Sequence, residues 1–319
     1  MHCLLGFIIV TLVIVILFII VYLFQYKSED LNTKYTPRNI FKNIDYNSFD
    51  NDAKLGLKHV KNSKLVLCGL IRNGEDNVDY FVKKCKKLCS YFKDYRILIV
   101  ENDSTDNTRE KLLEWNQIDP KIIILGCGIN VPKCKLNLPK TVGGSITKRR
   151  IGKMVRLRNV YLDYVKNYLR DFDYVIVYDF DLVGSVYLDG ILNSFGKFQK
   201  DKNIDGICAN GLRRFFRNFV YYDNYAHVLN NENFHSKNRT KHFLKILHNT
   251  NKNKNKNKLI KVKSCFGGFT IYKLSSIINS KYSSDLNNTL ECEHAGLHFK
   301  IKNIYYNPMM INLMLENPK

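Results

Sequence analysis

Apolar positions in the first half of the body fall alternately into short continuous runs and helical stripes. Lys64-Leu65-Val66-Leu67-Cys68-Gly69-Leu70 is a strand-length apolar run. Val78, Phe81, Val82, Cys85, Leu88 and Cys89 then recur at three- and four-residue spacing, which predicts a helix from about residue 77 to 93. A second strand is predicted over 96–100, a helix with acids near its start over 105–115, and a third strand over 121–125. Strand–helix–strand–helix–strand order predicts a parallel sheet with helices on both faces, an α/β fold of Rossmann-like type.

Beyond a loose Gly/Pro/Lys stretch at 126–147, the pattern predicts a long helix over 148–169. The apolar strand Tyr174-Val175-Ile176-Val177-Tyr178 follows and runs into Asp179-Phe180-Asp181. A helix over 188–199, a strand over 204–209, a strand over 268–272 and a short helix over 274–279 come next, with the last structured part at 291–312. Residues 210–262 read as irregular. Within them the Asn/Lys alternation 249–258 has nothing to bury and is expected to be a mobile loop.

The amino-terminal end has a different pattern. Cys3 to Phe24 carries no charge and is almost wholly apolar, long enough to span a bilayer as a helix. No small-x-small cleavage site follows it, so residues 1–25 are expected to be an uncleaved membrane anchor. Residues 26–62 are polar and read as a stem, and residues 63–319 as a single catalytic-sized domain. Lys27, Lys34 and Arg38 follow the span, and the positive-inside rule would put the body in the cytoplasm.

Composition narrows the classes. At 319 residues and 45% hydrophobic content, the chain can bury a full core. Its net charge of +21 would suit nucleic acid, anionic lipid or phosphorylated ligands. Lys, Asn, Ile and Tyr are abundant throughout, however, and no nucleic-acid motif accompanies the charge, so no nucleic-acid partner is expected. Nine cysteines occur without a CxxC pair, which argues against a zinc ribbon. Cys85/Cys89 and Cys127/Cys134 suit either disulfides or reduced packing.

The chemistry concentrates where predicted strands end. Along an extended chain Asp179 and Asp181 share a side, with Phe180 opposite. Paired acids closing a buried strand call for compensation, and Mn²⁺ or Mg²⁺ with phosphate oxygens is the usual partner. Strand two ends in Glu101-Asn102-Asp103-Ser104, whose acids suit ribose hydroxyls and a base edge. The same stretch would also cap the following helix. Arg149, Lys153 and Arg156 share a face of the long helix, with Arg158 and Asn159 nearby, and Arg156 is the first candidate for a diphosphate contact. Glu291-Cys292-Glu293-His294 and His298 form a dense polar cluster. Either histidine could join a metal shell, and either glutamate could act as general base or orient an acceptor.

In this order "RNGED", "VENDSTDNT", "KMVRLRN", "VYDFDL", "CFGGFTIY" and "CEHAGLH" resemble glycosyltransferases of the GT-A fold. The likeness is to fungal capsule-associated α-mannosyltransferases and related viral glycosyltransferases, and it covers about residues 64–312. The resemblance implies that Asp179 and Asp181 hold Mn²⁺ or Mg²⁺ against the diphosphate of a GDP- or UDP-sugar. It implies that Glu101 and Asp103 contact the nucleoside. Arg72 and Arg156, with Asn159 and Phe180, would contact the donor. Glu293 is the candidate base, His298 a candidate metal ligand, and Glu291 and His294 candidates for the acceptor or metal shell. The acceptor would be a glycan or protein hydroxyl. The family expectation is a type II membrane protein with a lumenal body, opposite to the positive-inside reading, so both orientations stay open. Two rivals remain. Asp179-Phe180-Asp181-Leu182-Val183 also satisfies the motif of haloacid-dehalogenase-like phosphatases, with Asp179 as nucleophile. A non-catalytic basic binding protein is the other.

Overall fold

A computed structural model describes residues 11–17, 35, 36, 38, 45–141, 146–180, 184–215, 218–230, 257–286 and 288–314. Residues 1–33 and 34–319 are separate compact units. In the first, residues 11–17 are helical, and the rest of the expected anchor lies outside the described residues. Among the described residues no helix is long and apolar enough to cross a membrane. Asp181 and most of the 249–258 loop also lie outside them.

The second unit opens with a helix, α1 (Tyr46–Val60), where the sequence reads as stem. Its buried residues are Phe49, Asp52, Gly56 and Val60, a helical stripe containing one acid and one glycine. Such a stripe has little hydropathy, which is why the pattern hides it. The first strand is β1 (Lys64–Ile71), followed by α2 (Val78–Cys89), β2 (Asp94–Glu101), α3 (Thr108–Ile118) and β3 (Ile122–Leu125). Then come α4 (Lys148–Tyr168), β4 (Tyr174–Tyr178), β5 (Gly184–Val186) and α5 (Leu188–Lys200).

Helix α1 packs on α5 through two glycines. A Cβ on Gly56 would lie 1.8 Å from the Leu192 carbonyl oxygen, and one on Gly196 would lie 2.1 Å from that of Asp52. Asp52 is fully buried there, paired with Lys197 at 2.6 Å and with Lys200. Burial would raise its carboxyl, but Lys197, Lys200 and Asn257 hold it below its ordinary value. Thr36, upstream of the helix, donates from both its amide and its hydroxyl to Asp189. Residues 46–60, assigned to the stem in the sequence reading, are thus part of the body.

The four strands β3-β2-β1-β4 are mutually parallel, as their order predicts. The sheet then continues as a mixed half. It contains β6 (Gly206–Phe215), β7 (Asn218–Tyr221), β8 (Val228–Leu229), β9 (Ile260–Ser264) and β10 (Phe269–Lys273), while β11 (Asp285–Leu286) and β12 (Thr289–Leu290) pair separately and β13 (Ile304–Met314) inserts between β6 and β9. Strand β10 lies antiparallel between β4 and β6, and β13 is parallel to β6. Among the described residues of the stretch that reads as irregular, 210–215, 218–221, 228–229 and 260–262 are strand.

Alternation divides the core between the two faces of the sheet. Val66, Cys68, Val175 and Val177 pack with Leu157, Tyr161 and Val165 of α4. Leu65, Leu67, Ile176 and Tyr178 pack on the other face with Phe81, Ile191 and Phe195. At period two, residue 179 points toward α4 and residue 180 away from it. Two disulfides, Cys127–Cys134 and Cys208–Cys265, are present, while Cys85 and Cys89 are free and buried.

Candidate active site

The parallel strands end along one edge of the sheet, where α/β folds bind ligands. Two further structures reach this edge. The turn before β10 places Gly267 and Gly268 at φ +61° and +75°, and the Gly268 carbonyl accepts from the Asp179 amide at 3.0 Å. A Cβ on Gly267 would lie 2.3 Å from the Ala209 carbonyl oxygen, so only glycine fits this approach. The chain leaving β7 turns at Tyr222–Tyr225, with Asp223 at φ +70° and the Tyr222 amide bonded to the Gly211 carbonyl. A final short helix (Glu293–His298) starts beside both.

These elements enclose a cleft of about 300 Å³. Helix α4 contributes Arg150, Met154 and Arg158, spaced four apart on one face. Asp179 comes from the end of β4, Tyr222 to Tyr225 from the turn, Phe266 from the glycine turn, and Cys292, Glu293 and His294 from the last helix. Arg158 is the hub. It is 3% exposed, and it donates from Nε to Glu293 Oε1 and from Nη2 to Asp179 Oδ1, each at 3.0 Å. Burial works against its charge, but Tyr161, Asp179 and Glu293 outweigh it and hold the guanidinium protonated. Across the cleft, burial and the charges of Asp179 and Glu293 push the Asp223 carboxyl well above its ordinary range.

His294 is 1% exposed and stacks on Phe266 at 3.7 Å between ring centroids. Burial, Arg158 and His298 drive its pKa well down, so the ring is neutral. On the far side of the strand end, Lys84 donates to the Tyr178 hydroxyl at 3.0 Å and to the Gly184 carbonyl. It thereby ties together the residues that flank Asp179–Val183.

Several expected residues are placed differently. Phe180 is core: it is 2% exposed, lies 3.7 Å from the Phe81 ring, and fills the space over Gly69. Glu101 is buried and closed, pairing with Arg109 at 2.7 Å and accepting from the Ser104 amide. Asp103 accepts backbone amides from Leu136, Asn137 and Leu138 and the Asn102 side chain. Burial would raise its carboxyl, but those donors hold it below its ordinary value. Both carboxylates are thus engaged within the protein. Arg72 is exposed and donates to the Asp103 carbonyl.

Arg156 is exposed and off the cleft, because the lining face of α4 runs through 150, 154 and 158. Asn159 clamps the Tyr282 backbone through both its amide and its carbonyl. His298 is fully enclosed, bonded at Nδ1 to Ser264 and at Nε2 to Tyr272 at 2.7 Å, and burial pushes it down to about 3. Both of its ring nitrogens are thus engaged inside the protein. Glu291 is buried at the entrance to the last helix. Asp179, Glu293 and His294 are brought together, and Arg158, Arg150 and the Tyr222–Asn224 turn join them. The "RN" of Arg158-Asn159 and the Tyr221-Tyr222-Asp223-Asn224-Tyr225 cluster were the signals for these additions.

The cleft's donor set is suited to a hard cation in kind, since Asp179 and Glu293 offer carboxylate oxygens. Among the described residues, however, no group of three His, Cys, Asp or Glu converges to hold a metal.

Over residues 64–303 the sequence matches the family described as Cryptococcal mannosyltransferase 1. No curated protein matches the chain. Among solved structures, the chain is similar to the mannosyltransferase PcManGT from Pyrobaculum calidifontis in complex with GDP-Man and Mn²⁺. The TM-score is 0.46 at 9% identity, covering 84% of this chain and 66% of that one. It is also similar to S. aureus TarS 1-349 in complex with UDP-GlcNAc, at a TM-score of 0.45 and 12% identity, covering 80% and 59%. The chain thus spans less than two thirds of either structure.

Proposed function

The chain belongs to the Cryptococcal mannosyltransferase 1 family, and from that premise we propose that it is a glycosyltransferase moving a sugar, mannose first among candidates, from a nucleotide-sugar donor to a hydroxyl acceptor. The observation that carries the reading is Arg158, a buried cation held between Asp179 and Glu293 in the cleft at the strand ends. A fixed guanidinium at such a place stabilises the negative charge that develops on a leaving diphosphate. Asp179 and Asp181 would hold Mn²⁺ or Mg²⁺, which when bound neutralises the departing diphosphate. Arg150, on the same face of α4, adds a second positive group to the cleft.

Glu293 is tied to Arg158 through Oε1, which fixes it in the cleft as a candidate base for an acceptor hydroxyl. The phosphatase reading is disfavoured. Strand β4 follows three strands of the parallel sheet rather than opening it. The binding-only reading leaves the Arg158 arrangement without a purpose. The two disulfides fit an oxidising compartment. They support a type II arrangement with residues 1–25 as anchor and the body lumenal.

The test is a donor-hydrolysis and transfer screen across GDP- and UDP-sugars with Mn²⁺, using the full chain in detergent. One donor should be turned over, and Asp179→Asn should lower that turnover by about 10³-fold while the fold survives. Full activity in EDTA, or in Asp179→Asn, would sink the proposal.

A further inference from the structure

Buried polar atoms without partners are rare in folded proteins, and each one calls for an explanation. Among the described residues, four such atoms lie on three residues that line the cleft. Arg158 Nη1, Asn224 Oδ1 and both ring nitrogens of His294 lack a hydrogen-bond partner, and all three residues line it. His294 Nε2 lies 3.8 Å from Glu293 Oε1, too far for a hydrogen bond. Stacking on Phe266 and an edge contact with Tyr282 at 5.7 Å fix the imidazole plane. The guanidinium of Arg158 sits 5.1 Å from the same Phe266 ring. The unsatisfied groups are therefore held by packing.

Their chemistry selects a ligand. Arg158 Nη1 can only donate, and Asn224 Oδ1 can only accept. A neutral imidazole offers one donor and one acceptor in either tautomer. A fully ionised phosphate only accepts, so it would leave the acceptor nitrogen of His294 and Asn224 Oδ1 unpaired. A metal ion could take the acceptor nitrogen, but not the imidazole N–H or the guanidinium. Hydroxyl groups both donate and accept, and adjacent hydroxyls on a ring would match all of these atoms.

We propose that His294, Asn224 and Arg158 Nη1 form the subsite that reads the hydroxyls of a sugar ring, and that His294 serves there as a hydroxyl partner and not as a metal ligand. This rests on the transferase reading and assigns the sugar's place within the same cleft. Depression of the His294 pKa by burial supports it, because the ring keeps its acceptor nitrogen at neutral pH. The ring could belong to the donor or to the acceptor, and the experiment separates the two.

Full-length chain in detergent is titrated by calorimetry with GDP-mannose, UDP-glucose, GDP, UDP and Mn²⁺, and acceptor KM is measured with a panel of methyl glycosides. His294→Phe keeps the stack on Phe266 and removes both nitrogens. Asn224→Ala removes the amide, and Asn224→Asp retains an acceptor. If the donor sugar is read, His294→Phe and Asn224→Ala weaken the bound nucleotide sugar about 10–100-fold and leave its nucleoside diphosphate within about twofold. If the acceptor sugar is read, donor affinity holds and acceptor KM rises by the same factor. In both cases Asn224→Asp stays closer to wild type than Asn224→Ala, and Mn²⁺ affinity is unchanged. Equal weakening of nucleotide sugar and nucleoside diphosphate, loss of Mn²⁺ affinity in His294→Phe, or no change in a folded variant would overturn the proposal. A wild-type chain that binds no nucleotide sugar overturns the transferase reading, and this inference with it.

Discussion

Two polar clusters sit along the same edge of the sheet, and they differ in how their hydrogen bonds are met. At the end of β2, Glu101 is closed by Arg109 and the Ser104 amide, and Asp103 by three backbone amides and Asn102. At the end of β4, Arg158, Asn224 and His294 keep buried atoms with no partner. Both clusters are dense in acids and read alike as sequence. The carboxylates of the first are spent on Arg109, on residues 136–138 and on the loop after β2, with only Arg109 Nη2 left buried without a partner, so they stabilise the fold. The second retains capacity that a ligand can use, so it is where chemistry is expected.

The comparison breaks most directly at Arg109. Arg109→Met leaves Glu101 buried and unpaired, and should cost about 3–5 kcal/mol of stability in denaturant titration. Turnover per folded molecule should change little, and a large loss of turnover at unchanged stability would return Glu101 to the active site. Asp52 is another buried, ion-paired acid, remote from the cleft. Its folded pKa is depressed against burial by Lys197 and Lys200. Its contribution is therefore present above the unfolded value of about 3.9 and lost as pH falls through the lower folded value. Asp52→Asn should lower stability at pH 7 by about 1–3 kcal/mol and flatten the acid limb of the pH–stability curve, and a variant that keeps the wild-type limb would refute this. The smallest effect is expected at Arg156, which is exposed and off the lining face. Arg156→Ala should change kcat/KM less than about twofold. A loss approaching that of Arg158→Ala would mean that α4 presents a different face to the substrate.

Much of the first half of the fold was legible because its strands are buried on both faces. Leu65, Val66, Leu67 and Cys68 are all 0% exposed, so β1 appears as an unbroken apolar run between amphipathic helices. The second half was not. Strand β13 includes Asn307, Pro308 and Asn312, and Asn307 and Asn312 are buried because their amides bond to Asn193 and to the Gly267 carbonyl. Helix α1 was missed for a similar reason, since Asp52 and Gly56 lie on its packing face. Buried polar residues of this kind are tolerated only with a partner, and the partner lies far away in sequence.

The candidate site was legible in the same uneven way. Asp179, Glu293 and His294 stand out as polar residues beside apolar runs, and all three line the cleft. Phe180 was misplaced by proximity to the acids, although the period of two sends it to the opposite core. Arg156 and Arg158 are two residues apart on one helix, and sequence alone does not say which faces the sheet. The answer comes from the 150–154–158 stripe that packs over the end of β4.

By itself the sequence determined the parallel strands, the helices between them and the pair of acids that closes β4. Those features depend on local periodicity and on the cost of burying charge, both of which act within a few residues. Tertiary structure decided which polar groups are already satisfied. That depends on partners such as Arg109 for Glu101, the 136–138 amides for Asp103 and Arg158 for Asp179, brought together only when the sheet assembles.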